Sequence, residues 1–536
     1  MSHSDIADTD VVELAGKPTG RRRKRSLKAA RVVESSDYIG ALPKGVSYNC
    51  LFVDLNNLAS FPTLAIGLLI SSLRNRGHQV RLLSPLANNV PATERERQEN
   101  IIDDIKRRVH HTDAPFLIKI RDLARLFYRK SRERPHPGIL KGLIKDIQVK
   151  KPDVILLSAY LQHFKSIKRI CKYAESQGIP VVLGGPMFNI PDVADSWRKL
   201  DGLTAIVGGE MDTKLPDIVE AVCSGNDMSV IDGVIATTSS ATMEAAAPLR
   251  PLDATPIPDY TDFPWDLYPV RIIPIMTGRG CQWDKCVFCS DVISASGREF
   301  RTRSVENVLL EMQELSKRHN TTNFLFLDLK LNSWPEMIRG IAKDIQRYVP
   351  GAEWVGTVHI DLRKDNGLSK RDLKLAVESG MRRVSFGLES GSQRLLDLMN
   401  KGCSVERNSQ FIKDAYDVGL SIRCTMFKGF PGETAADMVK TAEFLEAHAY
   451  AIDRVRFNDF TLHTDTPIWR EMVSKNGQTE HLIMKKHDKN YARTSYSHPG
   501  LSSPEYRKAK RRVLKAVYSI NSRRLRESAR QFDGLM

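Results

Sequence analysis

Short apolar runs alternate with amphipathic stretches of helical period along most of this chain, the pattern of parallel strands joined by helices that cover both faces of a sheet. The first unit runs from YNCLFVDL (48–55) through a helix in FPTLAIGLLISSLRNRG that ends near Gly77 to HQVRLLSP (78–85). After a charged interval the alternation resumes with DVILLSA (153–159), the helical FKSIKRICKYAESQG (164–178), PVVLGGP (180–186), LTAIVGGE (203–210) and the helical KLPDIVEAV (214–222). A second series follows, with strands expected at NFLFLDL (323–329), WVGTVHI (354–360), RVSFGLE (383–389), IRCTMFKG (422–429) and VRFNDFTL (455–462). Helices are expected between them, including 304–319 and 434–449. The fold class is α/β: a doubly wound parallel sheet followed by a complete or partial (β/α) barrel.

Composition shifts divide the chain. Residues 1–44 are polar and basic without sustained period and read as a disordered tail. Residues 45–232 form the first domain, with a charged helical insertion at 91–147 broken at Pro115 and at PHPG (135–138). The proline-bearing stretch 233–265 reads as a linker, 266–470 as the second domain, and 471–536 as a basic, helical C-terminal region.

A length of 536 residues suits two sizeable domains, and 41% hydrophobic with 27% charged residues is a globular balance. The apolar run 61–73 is too short to span a bilayer and leads into RNRGHQ, so it reads as a buried helix. The first residues lack the basic-then-apolar order of a secretory signal, and a cytoplasmic location is expected. The formal charge of +16 gathers partly in RRRKRSLKAAR (21–31) and in 507–530. Such runs can touch nucleic acid, but solvated faces account for them as well, and nucleic acid is not expected as a partner.

Eight cysteines in so long a chain do not suggest a disulfide scaffold. Three of them, Cys281, Cys286 and Cys289, crowd into GRGCQWDKCVFCS at C-x4-C-x2-C spacing. Thiolates are the soft ligands preferred by iron and zinc. A structural zinc site wants a fourth Cys or His close by, and the next histidine is His319, beyond a long helix. Three thiolates suit a cubane cluster that keeps one iron open.

The cysteine loop, FGLESGSQRLLDLMNKG (386–402) and GFPGET (429–434) together resemble the radical SAM superfamily, in its branch with a cobalamin-binding domain, over residues 48–470. The family's commonest spacing is C-x3-C-x2-C, so this loop carries one extra residue. The resemblance implies a [4Fe-4S] cluster on the three cysteines, whose open iron binds S-adenosylmethionine (SAM) for one-electron cleavage, with an electron donor such as flavodoxin or ferredoxin as a partner. It implies that Phe288 packs near adenine and that Glu389 accepts from the SAM amine, a salt bridge or cap being the plainer alternative. Ser390 and Arg423 fall at SAM-contacting strand positions, though Arg423 equally suits an acidic side chain. Asp328 matches a position facing the site, with helix or turn capping as its alternative. Gly429, Gly432 and Glu433 read first as a turn and helix start.

In the first domain, LLSAYLQHF (156–164), VVLGGPMF (181–188) and VGGE (207–210) resemble the loops of the cobalamin-binding domain of that branch. Ligands of open α/β sheets sit beyond the carboxyl ends of the strands. Gly184, Gly185 and Gly209 would allow close approach, unless they only form turns, and Ser158, Gln162 and Glu210 would offer hydrogen bonds. The cobalt-ligating DxHxxG motif is absent, so no metal ligand supports cobalamin.

The resemblance implies a cobalamin-dependent radical SAM methyltransferase acting on an unactivated carbon of a small-molecule or peptide substrate. The rivals are a radical SAM cyclase or rearrangement enzyme that retains cobalamin, and a nucleic-acid-binding protein with a structural metal. A methylthiotransferase is disfavoured because Cys50, Cys171 and Cys223 do not form that family's second cluster set. His359, His463 and Phe460 are tempting substrate contacts, but core or loop packing explains them as well.

Overall fold

The computed structural model describes residues 46–535 apart from 57–59, 93–95, 113, 291–298, 476–478 and 480–481. The disorder expected for 1–44 lies outside the described residues.

The first sheet is built from β1 (Asn49–Asp54), β2 (Gln79–Leu83), β3 (Val154–Ser158), β4 (Val181–Gly184), β5 (Ala205–Val207) and β6 (Val234–Ala236), in the order β2-β1-β3-β4-β5-β6. All neighbours are parallel except β5 and β6. The unbroken apolar runs follow from burial on both faces: Cys50 and Phe52 of β1 enter one core, Leu51 and Val53 the other. Its helices include α1 (Leu64–Asn75), α2 (Ile101–His110), α3 (Pro115–Glu133), α4 (Pro137–Val149), α5 (Phe164–Ser176), α6 (Pro191–Trp197) and α7 (Leu215–Ser224). The strand order reverses between β1 and β3, and that switch point opens a crevice at the strands' carboxyl ends.

The second sheet consists of β7 (Ile273–Ile275), β10 (Asn323–Phe326), β11 (Glu353–Val358), β12 (Met381–Glu389), β13 (Ser421–Lys428) and β14 (Arg454–Asp459), all parallel in sequential order. A two-stranded hairpin of β8 (Gly278–Arg279) and β9 (Arg301–Thr302) flanks the cysteine loop. This is a partial (β/α) barrel behind a doubly wound domain, the fold class that the sequence predicts.

The stretch 233–265, expected as a linker, begins with β6 and ties the two sheets together. Its Tyr260 is buried, packs on Gly67 of α1 and donates its hydroxyl proton to the Pro274 carbonyl at 2.9 Å. At the amino ends of the barrel strands, Ile272, Leu325 and Val355 pack against Phe61 and against Phe532 and Leu535 near the C-terminus. Beside them Arg454 pairs with Asp533 at 2.9 Å, and Arg383 donates to the Phe532 carbonyl at 3.1 Å.

The helical expectation for 471–536 is corrected at 483–497. There β16 (Ile483–Asp488) and β17 (Arg493–Ser497) join β15 (Leu462–His463) in an antiparallel sheet. These strands are largely exposed and polar, so they carry no apolar alternation to read. The helix Pro504–Asn521 does follow and packs on the helix Ala435–His448. Part of its basic run is satisfied within the chain: Arg512 pairs with Glu446, and Arg526 lies 4.4 Å over the Tyr416 ring.

Candidate active site

The cysteine loop leaves the barrel after β7 and is fastened by several hydrogen bonds among the described residues. Asp328, just past β10, accepts from the Thr277 hydroxyl at 2.7 Å and from the backbone N–H groups of Thr277 and Gly278 at 3.1 and 2.9 Å. Burial raises this carboxyl to about 6, against the lowering effect of those hydrogen bonds. Trp283 donates its indole N–H to the Asn400 carbonyl at 2.8 Å, and its ring lies on Gly402. The Val287 N–H donates to the Met399 carbonyl at 3.1 Å. The segment 399–402 thus serves as a platform for Cys281, Cys286 and Cys289, none of which is in a disulfide.

Charged groups surround the thiols. Lys401 lies 2.9 Å from Glu389 and 5.7 Å from the centroid of the Phe288 ring, close enough to Cys286 for their charges to interact. Burial would lower the Lys401 ammonium, but Glu389 and Cys286 outweigh it and leave it raised. Glu389 ends β12 at a register shift and holds a left-handed backbone at φ 56°, a strained placement for a carboxylate-bearing residue. On the other side Lys330 is fully buried, pairs with Asp361 at 2.5 Å and reaches Gln282 at 3.4 Å. His359 is buried near both lysines; burial first, then Lys401 and Lys330, push its imidazole well below the ordinary range. Its Nε2 has no hydrogen-bond partner among the described residues.

A cavity of about 740 Å³ joins the carboxyl ends of the first sheet to the start of the cysteine loop. All six expected first-domain residues line it: Ser158, Gln162, Gly184, Gly185, Gly209 and Glu210. Gly278, Arg279, Gly280 and Ser290 face it from the loop side, and His463, Tyr491 and Arg493 from the C-terminal region. Gly185 is required by the chain itself: at φ 151° an added Cβ would lie 2.1 Å from the Ala159 carbonyl oxygen. Glu210 is gripped by Arg301 at 2.6 and 2.8 Å and by Arg279 at 2.9 Å, while Arg279 also pairs with Asp212 at 2.7 Å. Burial would raise the Glu210 carboxyl, but the arginines outweigh it and hold it below the ordinary range.

Residues 275–445 match the family model described as the radical SAM superfamily. The chain carries a radical SAM domain and is an enzyme of that kind. Its sequence is 27% identical over 364 residues to an uncharacterized methyltransferase of Pyrococcus horikoshii, covering 64% of this chain and 76% of that one. It is 26% identical over 307 residues to the anaerobic magnesium-protoporphyrin IX monomethyl ester cyclase of Rubrivivax gelatinosus, covering 54% and 53%. The radical SAM methyltransferase TsrM of Kitasatospora setae, solved with cobalamin and a [4Fe-4S] cluster, superposes with a TM-score of 0.62 at 15% identity over 88% of this chain and 91% of that one. The fold is that of the cobalamin-binding radical SAM proteins.

The residues present fit the groups this fold implies. Within the radical SAM domain, three thiols on one anchored loop, two buried lysines and an unpartnered imidazole nitrogen form a donor set suited to an anionic iron–sulfur cluster. The shared cavity falls in the size range of organic-ligand pockets, with Ser158 and Gln162 as polar groups at its first-sheet wall.

Several expected SAM contacts have protein partners. Arg423 is held by Glu96 at 2.6 and 2.7 Å and by Ser385 at 2.8 Å. Ser390 contacts Thr441 at 3.0 Å and accepts from the Ser392 N–H at 3.0 Å. Phe288 packs in an aromatic group with Phe427 and Phe430, ring centroids 5.2 and 6.3 Å away. Glu433 is buried and accepts from the Gly429 N–H and, at 3.1 Å, from the Tyr506 hydroxyl, while the helix Ala435–His448 is capped by Thr434.

Sequence reasoning missed Lys330, Lys401, Cys403 and the Trp283–Gly402 contact. The NKG triplet at 400–402 is visible as part of a motif, but its one lysine, like Lys330, looks like any solvated side chain. Cys403, whose thiol burial pushes up to about 11, feels the charges of Lys401 and Cys286. Away from this centre, His110, His111 and Asp459 bring possible metal-ligating atoms within 4.8 Å of one another. Asp459 is already matched by Lys428 at 2.5 Å and Arg125 at 2.7 Å, so local positive charge opposes a metal ion there.

Proposed function

We propose that the enzyme is a cobalamin-dependent radical SAM methyltransferase that transfers a methyl group to an unactivated carbon of a small molecule or peptide. The observation that carries this reading is the cavity shared by the first sheet and the cysteine loop. In this reading Cys281, Cys286 and Cys289 hold the cluster, Glu389 receives the SAM amine, and Phe288 lies against adenine. Ser158 and Gln162 hydrogen-bond the cobalamin periphery, and Gly184, Gly185 and Gly209 shape its floor. When bound, these groups supply one-electron cleavage of SAM and a methyl carrier. The chain binds and orients them: Asp328 holds the turn before the cysteines, Arg423 ties β13 to β12, and Ser390 ties the end of β12 to the helix Ala435–His448.

Glu210 has a positioning part, tying the first sheet to the β8–β9 hairpin so that both walls of the cavity keep one spacing. An electron donor of flavodoxin or ferredoxin type completes the system.

Anaerobic purification with cluster reconstitution and hydroxocobalamin, followed by iron, sulfide and cobalt determination, tests the reading. About four irons and one cobalt per chain are expected. The variant Cys286→Ser is expected to lose most of the iron; zinc without iron in the parent protein overturns the reading.

The similarity to an anaerobic cyclase supports a second reading, in which both cofactors are used without net methyl transfer. Labelled methyl-SAM separates the two. Label in a product one carbon heavier supports the methyltransferase, and an unlabelled ring-closed product supports the cyclase.

A further inference from the structure

Helices α2 and α3 are mounted with their polar side inward. None of the described residues of α3 is buried, and Phe116, Ile120, Leu123 and Phe127 fall on one stripe at helical spacing. Phe116 is 78% and Phe127 62% exposed. On α2, Ile101 and Ile105 form a similar stripe, Ile101 being 66% exposed. The polar side of α3 does the anchoring: Arg125 bonds Asp459 at 2.7 Å, Arg121 donates to the Thr112 carbonyl at 2.6 Å, and Glu133 receives Lys165 at 3.0 Å.

The rim of the stripe is basic. Lys119 and Lys130 lie on one flank by helical geometry, and both are exposed. The acids of these helices are engaged: Asp122 by Arg121, Glu133 by Lys165, Asp104 by Arg108, and Asp103 in the amino-terminal cap of α2. A second copy of the chain would therefore set two basic rims against each other, in a protein of formal charge +16. An anionic lipid surface offers acyl chains for the stripe and headgroup charge for the rim. The 19-residue α3 lies along such a surface for roughly 28 Å. Among the described residues no helix is long and apolar enough to cross a membrane, so the contact is in-plane.

We propose that the α2–α3 insertion is a docking surface that seats this enzyme peripherally on an anionic membrane. At the carboxyl end of α3 the charge of Glu133 acts on Tyr491, which lines the 740 Å³ cavity, so the docked face adjoins the chamber.

Co-sedimentation of the full chain with phosphatidylcholine vesicles, with and without phosphatidylglycerol, tests this. Binding is expected only when phosphatidylglycerol is present, and to weaken in high salt. The double variant Phe116→Ser/Phe127→Ser is expected to bind about tenfold more weakly with an unchanged melting temperature, both rings being exposed. Lys119→Glu/Lys130→Glu keeps the apolar stripe and is expected to lose the preference for anionic vesicles. The proposal is overturned if the parent chain stays in the supernatant with anionic vesicles. It is equally overturned if both double variants bind as the parent does, since the basic segment at 21–31 would then account for binding. A parent dimer in light scattering that the serine variant dissolves, without vesicle binding, also overturns it.

Discussion

Glu210, just past the last parallel strand of the first sheet, and Arg301, on the hairpin framing the cysteine loop, form a two-point ion pair with side chains 9% and 5% exposed. Removing Arg301 leaves the buried Glu210 carboxylate to Arg279 alone, at 2.9 Å, at a cost of up to about 3 kcal/mol. Arg301→Met is therefore expected to lower the unfolding midpoint and to reduce cobalt and iron retention together. Glu210→Gln/Arg301→Met should recover part of the stability. Unchanged metal retention and stability in Arg301→Met would show that the pair does not hold the two walls in register.

Gly402 carries the Trp283 ring. A Cβ there would lie 2.2 Å from the ring, and the backbone sits at φ 65°, where a side chain costs about 1–2 kcal/mol. Gly402→Ala is expected to unseat Trp283 and cut iron retention after reconstitution, with altered tryptophan fluorescence. Gly419→Ala, at another positive φ but with open space around it, is the matched control and should keep its iron.

Lys401 is the buried partner of Glu389 and a neighbour of Cys286. Lys401→Met is expected to destabilise the domain by about 3 kcal/mol, because Glu389 stays buried without its cation. Loss of positive charge beside a cluster thiolate should also make the cluster harder to reduce, read as a more negative midpoint potential. A potential that does not move would assign Lys401 to packing alone.

Glu433 makes stability depend on pH. Burial lifts its carboxyl from the ordinary 4.5 to about 7, partly opposed by hydrogen bonds from Gly429 and Tyr506. The folded state thus holds this proton more tightly than the unfolded state. Its contribution is fully present below about 4.5 and is lost as pH rises through about 7, a span worth about 3 kcal/mol. Glu433→Gln is expected to flatten the fall of unfolding free energy across that window in denaturant titrations. An unchanged slope would show that Glu433 does not carry it, leaving Asp328 and Asp54, each raised to about 6 by burial, to account for the fall.

Much of the site was legible along the chain because its signals are local. C-x4-C-x2-C is a spacing, the strand YNCLFVDL is buried on both faces and therefore apolar throughout, and LGGP and VGGE sit at strand ends where a cavity must open. Glu210 shows the limit. Its place at the cavity edge could be read, but its partners Arg301 and Arg279 lie far along the chain, and nothing local marks them. Arg423 is similar: its acidic partner, Glu96, comes from the insertion, 327 positions away.

The sequence by itself determined the two α/β units, their order and the thiolate chemistry, because periodicity and ligand spacing are properties of neighbouring residues. Only the tertiary structure decided which charges meet. Coulomb and hydrogen-bond energies depend on distances that chain separation does not encode. Lys401 beside Cys286, Glu96 beneath Arg423 and the outward stripe of α3 therefore became visible only once the chain was folded.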